Sequence, residues 1–115
     1  MTKASKPRGV GLGTTLSESC FNNGQAWCYE LLVKTRIKHE LYKLCVDIRK
    51  DYSDSQSYAR VYVWAQPSLS WQLVINQYII ECECAEISYG DGGIKPEHFH
   101  ADALRLLKLA VKVLD

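Results

Sequence analysis

The chain has 115 residues, 47% of them hydrophobic and 23% charged, with a formal net charge of +1. This is too apolar for a disordered chain and fits one globular domain, which we place at 16–115 behind a flexible tail, 1–15. No apolar run nears the ~20 residues that cross a bilayer and no basic-apolar leader opens the sequence, so a cytoplasmic protein is expected, without membrane attachment.

In chain order, Gly9, Gly11 and Gly13 alternate within the tail, but no strand precedes them and the spacing is not that of a phosphate loop. Residues 16–25 read as a short helical turn, stopped by Asn22-Asn23-Gly24. From residue 26 the period becomes two. Trp27, Tyr29, Leu31 and Val33 alternate with Cys28, Glu30, Leu32 and Lys34 up to about Arg36. A second alternation sets Tyr42, Leu44, Val46 and Ile48 against Lys43, Cys45, Asp47 and Arg49. Each has one apolar and one largely polar face, as half-buried antiparallel strands do. The link 37–41 joins them as a hairpin, although it lacks Asn-Gly or Asp-Gly.

A polar loop, 51–57, leads to a strand over 58–66, which Pro67 closes. Residues 70–80 mix helical spacing with β-branched Val74, Ile75, Ile79 and Ile80; β-branching favours strand. We therefore expect a strand over 70–76, a tight turn near Asn76-Gln77 and a last strand over 78–88, before Gly90-Asp91-Gly92-Gly93. Residues 96–114 predict a helix, with Pro96 at its first position and Glu97 at the positive end of the dipole. Phe99, Ala103, Leu106, Leu107, Ala110 and Leu114 form its central stripe, flanked by Leu104, Val111, Leu109 and Val113. That apolar arc is about twice the roughly 100° that one sheet covers. A curved sheet, the N-terminal segment or a second copy must cover the surplus.

The near-zero net charge hides two blocks. Of the 14 basic residues, three (Lys3, Lys6 and Arg8) precede the first acid, Glu18, leaving 11 against 13 acids in the body. A slightly acidic body argues against nucleic acid as the main partner. Within it Lys34, Arg36, Lys38, Lys43, Arg49 and Lys50 form a basic block, and Glu81, Glu83, Glu86 and Asp91 an acidic one. They read as two solvated faces, or as blocks that attract each other within a sheet or between subunits. The five cysteines, an odd number, fit reduced thiols in a reducing compartment. Cys82 and Cys84 do not suit a metal, because strand neighbours i and i+2 lie about 6.6 Å apart, beyond the ~4.6 Å that two thiolates on one zinc allow.

Two sets of residues are candidates for function. Tyr58, Arg60, Tyr62 and Trp64 share one strand face; if Ala59, Val61, Val63 and Ala65 face the helix, these four project outward together. Tyr, Trp and Arg are the residue types enriched at interface hot spots. His100 falls within the apolar arc of the helix, as a histidine hydrogen-bonded at the rim of the core or as a titratable group in a pocket against the sheet, with Cys84 a conceivable neighbour. His98 and Asp102, at i and i+4, are placed to meet on the surface. No serine elbow, phosphate loop or metalloprotease helix is present.

The order of elements indicates an α+β fold: an antiparallel, meander-like sheet of four to five strands against a long C-terminal helix. The function it suggests is a non-catalytic interaction module, acting through protein contacts and self-associating as a dimer, with no cofactor or metal. Its binding residues would be Tyr58, Arg60, Tyr62, Trp64 and His100. The alternatives are a small-molecule pocket or small enzyme between sheet and helix, and single-stranded nucleic-acid binding through the aromatic face.

Overall fold

The alternations over 26–36, 42–49 and 58–66 become strands, as does the segment 70–76, and a further strand forms where a helical turn was expected. The computed structural model describes residues 13–51, 57–65, 68–78, 81–82 and 95–115. It contains β1 (Thr14–Asn22), β2 (Ala26–Ile37), β3 (Glu40–Asp51), β4 (Tyr58–Ala65), β5 (Ser70–Gln77), a 3-10 turn over Pro96–Phe99 and α1 (His100–Leu114). Each strand pairs antiparallel with the next, giving the order β1-β2-β3-β4-β5. The helix packs on one face of this sheet, against β2 to β5, so the class is α+β.

The inward positions of the three central strands make the core. Tyr29, Leu31 and Val33 from β2 meet Leu44, Val46 and Ile48 from β3, and Ala59, Val61 and Val63 from β4. Phe99, Ala103, Leu106, Leu107 and Ala110 cover them from above. Burying one such aliphatic or aromatic side chain contributes about 1.5–3 kcal/mol, so this layer, and not helix propensity, fixes α1 on the sheet. Trp27 and Tyr42, on the apolar faces of their strands, sit partly buried at the margin of the core. On α1 the flanking Leu104, Leu109 and Val111 are half-buried and Val113 is exposed, while Leu114, at the end of the central stripe, is only half-buried. No helix among the described residues is long and apolar enough to cross a membrane.

Residues 16–22 are strand rather than a helical turn. Glu18 and Cys20 stand opposite Leu31 and Tyr29 on the helix side, while Ser17, Ser19 and Phe21 take the other side. The Asn22-Asn23-Gly24 stretch is a hairpin turn and not a helix stop. The Asn22 side chain accepts from the Gly24 N–H at 2.8 Å, and the Asn23 side chain accepts from the N–H groups of Gln25 and Ala26 at 2.9 Å. Gly24 has φ +94°, the left-handed region that only glycine enters at no cost. β1 starts at Thr14, inside the stretch expected to be linker; residues 1–12 lie outside the described ones.

The second hairpin is a two-residue turn closed by the pair Ile37 and Glu40. Lys38 and His39 both hold positive φ, 51° and 72°. The primed turn that suits twisted strands is thus made without glycine or asparagine. After β5 the chain turns: the Glu81 N–H donates to the Tyr78 carbonyl at 3.1 Å, and the Tyr78 N–H to the Glu81 carboxylate at 3.3 Å. The bend expected at Asn76-Gln77 therefore comes later, and Tyr78 does not open a new strand. Glu81 and Cys82, within the strand expected over 78–88, are likewise turn and bend; its other positions, with Ile80, Cys84 and most of the acidic block, lie outside the described residues.

Candidate functional site

Two groupings carry polar chemistry, one on each side of the sheet. On the outer side the register sets side chains in rows across the strands. The central row runs Ser17, Leu32, Cys45, Tyr62, Leu73, each the cross-strand neighbour of the next. Two residues along on each of β2 to β4, towards the second hairpin, stand Lys34 and Lys43 as a directly opposed pair, with Trp64 next and Trp71 beyond it. On the opposite side of the central row lie Ser19, Glu30, Asp47, Arg60 and Asn76.

The structure brings Tyr58, Arg60, Tyr62 and Trp64 together on this outer face, since Ala59, Val61 and Val63 are buried beneath the helix. They act as pairs with neighbours. The Arg60 guanidinium lies 4.0 Å from the Tyr58 ring centre, and its Nε donates to Asn76 at 3.1 Å. The Tyr58 hydroxyl donates to Asp47 at 3.3 Å. Trp64 and Trp71 meet edge to face at 5.3 Å, with the Lys43 ammonium 6.0 Å from the Trp64 ring. Lys34, Leu41, Tyr42, Lys43 and Trp64 line an open recess of about 190 Å³. Trp71, Leu73 and Leu41 are 40%, 51% and 54% exposed, so no described element covers this end of the face. Burial and the facing Glu30 hold the Asp47 carboxyl above the usual carboxylate range, against the Tyr58 hydrogen bond and the nearby Arg60 and Arg49.

His100 is elsewhere, on the helix side. Its Nε2 lies 2.6 Å from Glu18 Oε2, and the Tyr29 hydroxyl donates to the same oxygen at 2.6 Å. Tyr29 stacks on Phe99 with ring centres 4.9 Å apart, and His100 meets it edge-on at 6.4 Å. One carboxylate thus ties β1, β2 and the start of α1. Burial and the Glu18 carboxylate push the Tyr29 hydroxyl far above its ordinary value, so it remains a donor. Glu18 and Tyr29 were not singled out from sequence; their pairing needs the β1–β2 register, which a helical reading of 16–25 hides.

This cluster is built for cohesion, since the space between helix and sheet is filled by Tyr29, Phe99, Leu106 and Leu107, none more than 1% exposed. The thiol on the same face as Glu18, Cys20, is pushed up to about 11 by burial and by the Glu18 charge, which keeps it protonated and a poor nucleophile at neutral pH. Cys84, considered as a neighbour of His100, lies outside the described residues. His98 accepts a hydrogen bond from the Lys95 N–H at 3.0 Å and caps the 3-10 turn, instead of meeting Asp102 on the surface. Asp102 is buried, 3.7 Å from Arg105. Arg105 reaches Gln77 at 2.8 Å and the Cys82 sulfur at 3.4 Å, fastening the helix to the end of β5. Among the described residues no group of three or more His, Cys, Asp or Glu is placed to hold a metal ion. Comparison with known proteins finds no family model that matches the chain, and no similar curated protein or solved structure.

Proposed function

We propose that the protein is a non-catalytic binding module that works through protein contacts and self-associates as a homodimer, with Tyr58, Arg60, Tyr62 and Trp64 on its contact surface. The observation that carries this reading is the outer face of the sheet. It presents Trp71 and Leu73 beside the aromatic and arginine side chains of β4, and no described element lies over that end. Aromatic residues and arginine beside exposed aliphatic surface are the usual composition of a contact patch. Sedimentation equilibrium of the full chain in reducing buffer tests it. A mass that rises from monomer to dimer with concentration supports the reading; a monomer at every concentration removes the homodimer.

A second reading is favoured by the recess lined by Lys34, Lys43 and Trp64, where two lysines stand beside an indole. Such a recess suits a small anion carrying a planar ring. Quenching of tryptophan fluorescence by a nucleoside monophosphate, lost in Trp64→Leu, would favour it; no quenching at low salt would remove it.

A further inference from the structure

On the outer sheet face two like-charged pairs stand directly opposite each other, which costs stability in a lone sheet. Lys34 faces Lys43, and Glu30 faces Asp47. The two pairs have opposite sign and lie on either side of the Leu32–Cys45–Tyr62–Leu73 row, two residues away on each strand. Among the described residues neither lysine meets a carboxylate. The other cations of the face are engaged within the chain: Arg49 with Asp51 at 3.2 Å, Arg60 with Asn76 and Tyr58, Arg36 with the His39 carbonyl at 3.1 Å.

We propose that this face is the dimer interface, packed sheet to sheet about a two-fold axis running along the central row; the inference rests on the self-association proposed above. Rotation about that axis keeps each strand over its own counterpart and exchanges the two outer rows. Lys34 then lies over the partner's Glu30, Lys43 over the partner's Asp47 and Trp64 over the partner's Arg60. Leu32, Cys45, Tyr62 and Leu73 meet their own equivalents, as an isologous contact requires. Facing sheets pack about 10 Å apart with strands within about 30° of alignment, and the strands that carry the charges, β3 at the middle of the sheet and β2 beside it, lie where twist separates the layers least. Both outermost strands carry a register shift, between Thr15 and Ser17 in β1 and opposite Val61 and Tyr62 in β5. Such bulges disfavour joining edge to edge, which leaves the face.

Charge reversal on β2 tests the pairing, because Glu30 and Lys34 are exposed and their exchange leaves the core untouched. Glu30→Lys and Lys34→Glu each relieve a like-charge pair within the monomer, so each variant should be at least as stable as the parent under dilute conditions. Each also sets like charges against each other across the two-fold, twice per dimer, and should raise the dimer Kd about tenfold or more. The double variant Glu30→Lys/Lys34→Glu should return the Kd to within about threefold of the parent, since every copy then supplies both members of a complementary pair. A parent dimer whose Kd is unmoved by all three variants overturns this interface and leaves the self-association reading intact. A parent that is monomeric at every concentration overturns both. If that monomer binds a single-stranded oligonucleotide and loses it in Lys34→Glu, the face serves a polyanion instead.

Discussion

The hairpin between β2 and β3 turns through two residues held in a conformation that neither favours. Lys38 and His39 sit at φ 51° and 72°, where a side chain bearing a Cβ costs about 1–2 kcal/mol. Replacing His39 by glycine removes that cost, while the freer unfolded chain takes back about 0.5–1 kcal/mol. Asparagine at position 38 enters the same region more readily than lysine. Lys38→Asn/His39→Gly should therefore raise stability by about 1 kcal/mol. For a domain of this size that is about 4 °C in Tm. The bond from Arg36 to residue 39 uses the backbone carbonyl and survives the change. Urea denaturation at one fixed protein concentration reads the result as a higher midpoint with an unchanged m-value. An unchanged or lower midpoint, with the circular dichroism spectrum intact, would refute the claim that this turn is strained.

Glu18→Ala should cost about 2 kcal/mol, because it strands the buried Tyr29 hydroxyl and releases His100; adding Tyr29→Phe should recover part of that loss in the same urea assay. Stability should fall as pH rises above about 9. Burial pushes the Cys45 thiol up to about 12 and Cys20 up to about 11 from an ordinary 9.0, so the unfolded chain releases protons that the native state keeps. Urea midpoints under reductant, taken from about pH 8 to about 11, should fall steadily, and less so in Cys45→Ala; a flat profile would contradict the burial of these thiols. Arg105→Met should speed amide exchange at the end of β5 while leaving β2 and β3 protected, because it removes the tie to Gln77; equal exchange in both variants would show that the tie does not hold that end.

Strands β2, β3 and β4 and the C-terminal helix were legible in sequence because each buries one face. Where a face is buried, period fixes register and register fixes neighbours. β1 was not legible for the same reason: its inward positions are Glu18 and Cys20, polar groups that belong inside only because Tyr29 and His100 are there to meet them. No pattern along one strand reports a partner on another. The Asn-Asn-Gly sequence was seen, yet a hairpin and a helix end use the same left-handed glycine, and only the flanking strands separate them. The outward projection of Tyr58, Arg60, Tyr62 and Trp64 followed from small apolar residues on the alternate positions. Which of them pair, and that like charges stand opposed on β2 and β3, needed the observed register.

Among the described elements each strand from β2 onward pairs with the strand made just before it, while the helix that covers the sheet follows all five strands. During synthesis the hairpins can zip as each strand emerges, with little chain to close at each step. The apolar side of Leu31, Val46 and Val61 stays uncovered until Phe99 to Ala110 leave the ribosome. A nascent chain stalled between β5 and α1 therefore has these apolar positions without their helical cover, and exposed surface of that kind is what a chaperone holds.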